Sequence, residues 1–360
     1  MNISADVAAQ RPFVSPRPHV RRKKSARAPW HPVPKARRVK NEPIIAAGSV
    51  EGYSAVFNPG VIVQDGTYHL FARGIRSGYR RNEVEVGGAR FLDYVSDVLV
   101  FVSTDGVDYQ FQQVLARSSD DWIHAVEDPR VQRVRSAGVD HLLMTYTNLP
   151  HPATGGPWRV GAHRLTFAGD RFELDHSSGC VFGPDGVHDK DGVVFNLRDG
   201  KVALMHRVHP NIQVAVFDDL EHLWSADAAY WQAHMTDLER HTIIVASSRV
   251  SGVGAGAPPV ATDDGLLLFY HERSTTGTYT MNVALLDHDT ARVISVLPEP
   301  VLVPELPWEL EGDVDDVVFV GGAVARADGT IYLTYGAADR SVGAAVIDTD
   351  ELLAALLALR

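Results

Sequence analysis

From Pro43 onward the chain is written in short apolar runs of Val, Leu, Tyr, Phe and Thr, each alternating with polar positions and each broken by Gly, Asp or Pro. A period of two bounded by turn formers is the pattern of β-strands. Only the last stretch, 349–360 (TDELLAALLALR), reads as helix, with Thr349 or Asp350 the expected N-cap. Everything between is expected to be strand and turn.

The runs repeat. A polar turn followed by an alternating strand that ends on a large polar residue occurs as DGTYHLFARG (65–74), GVDHLLMTYT (138–147), DGKVALMHRV (199–208), DDGLLLFYHE (263–272) and DGTIYLTYGA (328–337). The terminal positions are Arg73, Tyr146, His206, Tyr270 and Tyr335, 60 to 73 residues apart. A second phrase precedes each copy: NPGVIV (58–63), DPRVQRV (128–134), KDGVVFN (190–196), PPVAT (258–262) and DDVVFVGG (315–322). A third apolar strand closed by an Asp turn follows, plainly in four units and weakly at 159–170. Five such units predict an all-β protein, a five-bladed β-propeller over 41–348 with a short C-terminal helix at 349–360. Two β-sandwich domains are the alternative, disfavoured by five in-phase copies of a three-phrase unit.

That fold gives the residues a geometry. If the second phrase is the innermost strand, Asn58, Asp128, Lys190, Asp191 and Asp316 start at one mouth of the axial channel. The strand that follows returns Arg73, Tyr146, His206, Arg207, Tyr270 and His271 to the same mouth. Carboxylates, cations and aromatics converging there fit a polyhydroxylated, anionic ligand better than a packing core.

Composition narrows the choice. At 360 residues and 45% hydrophobic the chain has a sizeable core to bury, and no apolar run approaches the length of a membrane span. Cys180 is the only cysteine, which excludes an intrachain disulfide and a Cys-based zinc site. No secretory h-region opens the chain, so a cytoplasmic location is expected. Residues 1–40 carry 11 Lys and Arg against Asp6 alone, whereas the remaining 320 residues carry 23 basic and 44 acidic residues. The proline-rich segment 1–40, with its Arg21–Lys24 cluster, is expected to be a disordered tail. The acidic body speaks against nucleic-acid binding. The 16 histidines show no HExxH or other ligand spacing, so no metal is expected, and the glycine-rich 252–259 lacks the Lys-Ser/Thr of a P-loop.

Several fragments, in order, resemble glycoside hydrolase family 130: Phe57-Asn58-Pro59, Val126-Glu127-Asp128-Pro129-Arg130, His188-Asp189-Lys190-Asp191, Met205-His206-Arg207, Gly254 to Pro259 with Tyr270-His271, Asp313 to Phe319, and Tyr335 to Asp339. The resemblance runs from about Asn41 to Asp348 and implies a five-bladed propeller and an inverting β-mannoside phosphorylase, with an inverting β-mannosidase as the alternative. A non-catalytic glycan-binding propeller is the reading from another class. The resemblance makes Asp128 the catalytic acid, protonating the scissile oxygen by way of a sugar hydroxyl. It makes Arg159, Lys190, His206 and Arg207 the phosphate-binding set, although the second arginine usual in phosphorylases has no clear counterpart near Arg171. It makes Asn58, Arg73, Asp191, Tyr270 and Asp339 the sugar-binding groups. Glu127, one position along the strand, is expected on the opposite face. Trp122, Trp158, Trp231 and Trp308 are candidates to stack on sugar faces. An oligosaccharide is the expected partner, inorganic phosphate the co-substrate, and no cofactor is implied. Homo-oligomerisation is left open.

Overall fold

A computed structural model of the chain describes residues 32–82, 90–118, 125–150 and 156–360. It is a five-bladed β-propeller, as the repeat predicts, and each blade is an antiparallel sheet running outward from the axis. The first blade is Tyr53–Gln64, Thr67–Arg76, Ser96–Ser103 and Gln110–Ala116, and the second Ala125–Ser136, Val139–Leu149, Arg159–Ala168 and Arg171–Phe182. The third is Asp189–Asn196, Val202–Val208, Ile212–Phe217 and Thr242–Ile244. The fourth is Val250–Ala255, Leu266–Ser274, Tyr279–Leu286 and Val293–Val296. The PPVAT phrase is not its inner strand: Val260–Ala261 pairs with Leu266 and Leu267 at the far end, and the inner strand lies just before it.

The fifth blade is Val318–Ala325, Thr330–Ala337 and Ser341–Asp348, completed by Arg37–Arg38 at its outer edge. The expected tail boundary at residue 40 is therefore too late. The strand lacks apolar periodicity because two residues of main-chain pairing and the ion pairs of Arg38 with Glu305 and Glu309 hold it. Arg38 donates to both carboxylate oxygens of the buried Glu309, each at 2.7 Å, and Glu309 also accepts from Tyr335 Oη at 2.8 Å. The expectation of disorder for residues 1–31 falls outside the described residues.

Alternation within each blade feeds two cores. Phe71 and Met144 pack between the first and second blades, while Leu143 and Leu204 pack between the second and third. Neighbouring strand residues thus face opposite blades, and both faces of the middle strands must be apolar. Losing one such side chain, as in Leu143→Ala, costs about 2–5 kcal/mol.

Two stretches depart from the all-strand expectation. Residues 218–241 form helices Leu220–Trp224, Ala228–Thr236 and Leu238–His241 between the last two strands of the third blade; the first two are capped by Asp219 and Asp227. They are too short for a helical period to show in the sequence, and Leu220, Leu223 and Trp231 join the adjoining core. Pro307–Leu310 is a single helical turn carrying Glu309. The C-terminal helix is Thr349–Leu357, capped by Asp348, whose Oδ1 accepts from Glu351 N at 2.9 Å, rather than by Thr349 or Asp350.

Candidate active site

The inner strands of the first three blades are each broken at the same place. Phe57 pairs with Arg73, Glu127 with Thr147 and Lys190 with Arg207; the next two residues of each inner strand bulge out before pairing resumes. The first bulged residue is Asn58, Asp128 or Asp191, with φ of 48°, 52° and 57°. Asn and Asp are the non-glycine residues that tolerate this left-handed conformation best. The bulges turn three polar side chains toward the axis at equivalent positions.

Asn58 Nδ2 donates to Asp128 Oδ1 at 2.8 Å, and Arg73 Nη1 lies 3.6 Å from the same oxygen. Arg73 also pairs with Glu127. Arg130, 1% exposed, donates to the Asp128 main-chain oxygen at 2.8 Å and to the carbonyls of Ala255 and Gly256, and lies 3.3 Å from Asp191 Oδ1. Asp191 is fully buried, with Arg207 Nε at 3.1 Å and His271 Nε2 at 3.5 Å. Against the desolvation that burial imposes, Arg207, His271, Lys190 and Arg130 hold its carboxyl below the usual range. Gly254 is required beside it, since a Cβ there would collide with Asp191 Oδ2 and His271.

A cavity of about 170 Å³ opens above these groups, lined by Asn58, Arg73, Glu127, Asp128, Lys190 and Asp339. Arg90, Arg273, Tyr279 and Phe319, with Val314 and Val317, complete its wall. Burial pushes the Glu127 carboxyl up, Arg73 pulls it back, and Asp128 raises it further. Burial also pushes the half-buried Asp339 up to about 7, with Arg73 opposing and Asp128, Glu127 and Asp313 reinforcing. Asp339 has φ 53° at the turn after the fifth blade's second strand. The cavity continues into a wider cleft of about 430 Å³ past Arg90 and Arg273 toward Asp313, whose Oδ2 accepts from Tyr79 Oη at 2.5 Å.

The structure thus brings together Asn58, Arg73, Asp128, Lys190 and Asp339, with Asp191 behind them and Arg207 tied to Asp191. It does not bring in Tyr270, His206 or Arg159. Tyr270 is 2% exposed in the core between the third and fourth blades, its hydroxyl 3.2 Å from Glu272. His206 is fully buried between Asp189 and His234. Arg159 binds the carbonyls of Phe182 and Gly183 and the Asp185 carboxylate.

Tyr270 and His206 share a cause with Tyr146, also expected at the mouth, and with Tyr335, the terminal position of the fifth repeat. The true equivalents of Arg73 are Thr147, Arg207, His271 and Gly336, one residue later in the other four strands. A one-residue slip moves a side chain to the other face, and Tyr146, Tyr270 and Tyr335 accordingly sit in the inter-blade cores. Glu127, expected on the far face, shares the cavity with Asp128, because the left-handed Asp128 interrupts the alternation. Asp316 precedes its strand and lines only the outer cleft.

Sequence reasoning missed Arg90, Arg273, Tyr279 and Phe319. Arg273 was legible as the residue two beyond His271 on the same strand; nothing in the repeat marks Arg90. Of the tryptophans, Trp231 is core and Trp308 donates to Asn41 O at 2.7 Å. Trp158 is 42% exposed with Lys190 Nζ 5.3 Å from its ring centre, and Trp122 lies outside the described residues. Among the described residues no three His, Cys, Asp or Glu side chains are placed to hold a metal, and no helix is long and apolar enough to cross a membrane.

An acid flanked by a planar amide and arginine forks at one end of a five-bladed propeller defines a site for a polyhydroxylated ligand and an anion. The family Glyco_hydro_130, described as beta-1,4-mannooligosaccharide phosphorylase, matches residues 21–357. The chain belongs to glycoside hydrolase family 130 and is an enzyme of the phosphorylase type. It is 29% identical over 325 residues to a 1,2-beta-oligomannan phosphorylase of Thermoanaerobacter sp. (strain X514), covering 88% of this chain and 99% of that one. It is 31% identical over 329 residues to a beta-1,2-mannobiose phosphorylase of the same organism, covering 88% and 98%. In fold it resembles the beta-1,2-mannobiose phosphorylase from Listeria innocua in complex with beta-1,2-mannobiose, with a TM-score of 0.68 at 20% identity over 89% of this chain and 99% of that one.

Proposed function

We propose that this protein is an inverting β-mannoside phosphorylase that uses inorganic phosphate to release α-mannose 1-phosphate. Asp128 supplies the proton to the departing glycosidic oxygen. Phosphate attacks the anomeric carbon from the opposite face, so a β-linkage yields an α-phosphate. Arg73 and Asp339 bind sugar hydroxyls, and Asn58 and Arg73 hold Asp128 in line.

One observation carries this reading. Lys190, Arg90 and Arg273 line the cavity that holds Asp128, and none of the three has a carboxylate within 4.0 Å among the described residues. Cations without counter-ions suit an anionic co-substrate. They take the place of the second arginine sought near Arg171, and of His206 and Arg159. Arg207 sits behind Lys190, occupied by Asp191.

Hydrolysis has one observation in its favour. Asp339 shares the cavity with Asp128, and a carboxyl near 7 suits a general base that activates water. Incubation with β-mannobioses of each linkage, with and without phosphate, separates the two. Phosphate-dependent cleavage giving α-mannose 1-phosphate is expected; free mannose at an undiminished rate in phosphate-free buffer would establish the hydrolase instead.

A further inference from the structure

The helices at 218–241 reach the polar interior of the third blade through a chain of buried hydrogen bonds that the chemistry above does not use. Asp189 is fully buried beside Lys190. Its Oδ1 accepts from the Arg207 main-chain N–H at 3.1 Å, and its Oδ2 lies 2.9 Å from His206 Nδ1. His206 Nε2 faces His234 Nε2 at 3.1 Å. His234 is 3% exposed, comes from the helix Ala228–Thr236, and stacks on His241 with ring centres 4.0 Å apart. Gly183 closes over the carboxylate: a Cβ there would lie 2.5 Å from Asp189 Oδ2.

Proton positions follow from the partners. A carboxylate oxygen only accepts, so His206 carries a proton on Nδ1; in the neutral ring its Nε2 is then an acceptor. His234 must donate from Nε2, which leaves its Nδ1 bare. That atom is buried and has no hydrogen-bond partner among the described residues, as a bare nitrogen of a neutral ring allows. Burial, with His206 and His241 alongside, lowers His234 to about 3, so the ring is neutral at pH 7.

The chain ends at the candidate phosphate side. Lys190 and Arg207 are paired across the inner two strands, bracketed by Asp189, which holds the Arg207 main chain, and Asp191, which holds its guanidinium. We propose that His234 is a positioning residue for phosphate use: its Nε2–H fixes His206 as the Nδ1–H tautomer, which keeps the Asp189 carboxylate turned to the Arg207 main chain and sets the Lys190–Arg207 pair. The helical insertion is then a brace for the anion side of the site. The proposal rests on the phosphorylase reading above.

The test compares His234→Leu, which keeps an apolar group but removes the donor, with His234→Gln, whose amide nitrogen donates from a similar place. For His234→Leu the phosphate KM should rise on the order of tenfold, with the mannoside KM little changed. His234→Gln should recover most of that loss, and Lys190→Ala serves as the control for phosphate binding. If His234→Leu leaves the phosphate KM unchanged, or shifts both KM values alike, while Lys190→Ala raises it, the positioning role is overturned and the phosphorylase reading stands. If wild-type turnover needs no phosphate and Lys190→Ala has no effect on it, both fail. Nitrogen-15 spectra of the histidines in the wild-type protein test the same claim without any variant: a proton on Nδ1 of His206 and on Nε2 of His234 supports it, and a proton on Nε2 of His206 overturns it.

Discussion

Asn58 Nδ2 donates to Asp128 Oδ1 at 2.8 Å, and both residues hold left-handed backbone, at φ 48° and 52°. Two adjacent blades each spend a bulge to place one polar side chain, and the two side chains then fix each other. With Asp128 as the proposed acid, the contact would give it its direction, and the pair separates orientation from strain experimentally. Asn58→Gly removes the donor but is at ease at positive φ; Asn58→Ala removes the donor and adds roughly 1 kcal/mol of backbone strain. Both variants should lose turnover on the order of tenfold, and only Asn58→Ala should also melt lower. Full turnover in Asn58→Gly would show that the contact does not orient the acid.

Asp128→Asn keeps the shape and removes the proton. Turnover on an unactivated mannoside should fall by about 10²- to 10⁴-fold with an unchanged melting curve. Retained turnover would take Asp128 out of the role.

Gly336 occupies the fifth-blade position equivalent to Arg73, and a Cβ there would collide with Asn58 Oδ1 and lie 2.5 Å from Asn58 N. Gly336→Ala should displace Asn58 and with it the Asp128 contact, lowering both thermal stability and turnover. Unchanged turnover with unchanged stability would mean the backbone gives way at no cost.

Asp339 binds its proton more tightly in the fold than in the unfolded chain, since burial raises it to about 7 against Arg73's pull. Between the ordinary carboxylate range and pH 7 the folded state therefore holds the extra proton, and stability falls as pH rises through that window. Asp339→Asn should gain thermal stability over wild type at pH 8 and little or none at pH 4. Paired melting curves at the two pH values decide it; an equal difference at both would exclude the linkage.

Glu309 has the opposite sign. Although burial raises it, the hydrogen bonds from Arg38, from the Glu305 and Leu306 main chain and from Tyr335 hold it below the usual range. Its stabilisation is present above the unfolded pKa of a glutamate and is lost as pH falls below it. Glu309→Ala removes the buried partner of Arg38 at the blade closure, leaving it only the exposed Glu305 carboxylate and the Val303 carbonyl, and should cost up to about 3–5 kcal/mol, read by denaturant unfolding at pH 7.

By itself the sequence determined the five-fold repeat, the blade order and the C-terminal helix, because strand alternation and Gly/Asp turns are local and recur in phase. It also carried Asn58, Asp128 and Asp191 to one mouth, since each stands at or next to the head of the recurring second phrase and is of the type that tolerates left-handed backbone. Only the tertiary structure decided which side chain at each strand end faces the axis. The period is two, so the one-residue offset between Arg73 and Tyr146, His206, Tyr270 and Tyr335 exchanged cavity for core, and no local signal distinguishes the two registers. The same holds for Glu127, whose face depends on a bulge, and for Arg90 and Arg273, which reach the cavity from different blades. The Arg37–Arg38 strand and the His234 brace are contacts made across 309 and 28 residues, to Val346 and His206. They depend on where the closed ring brings the chain together, which no window of sequence contains.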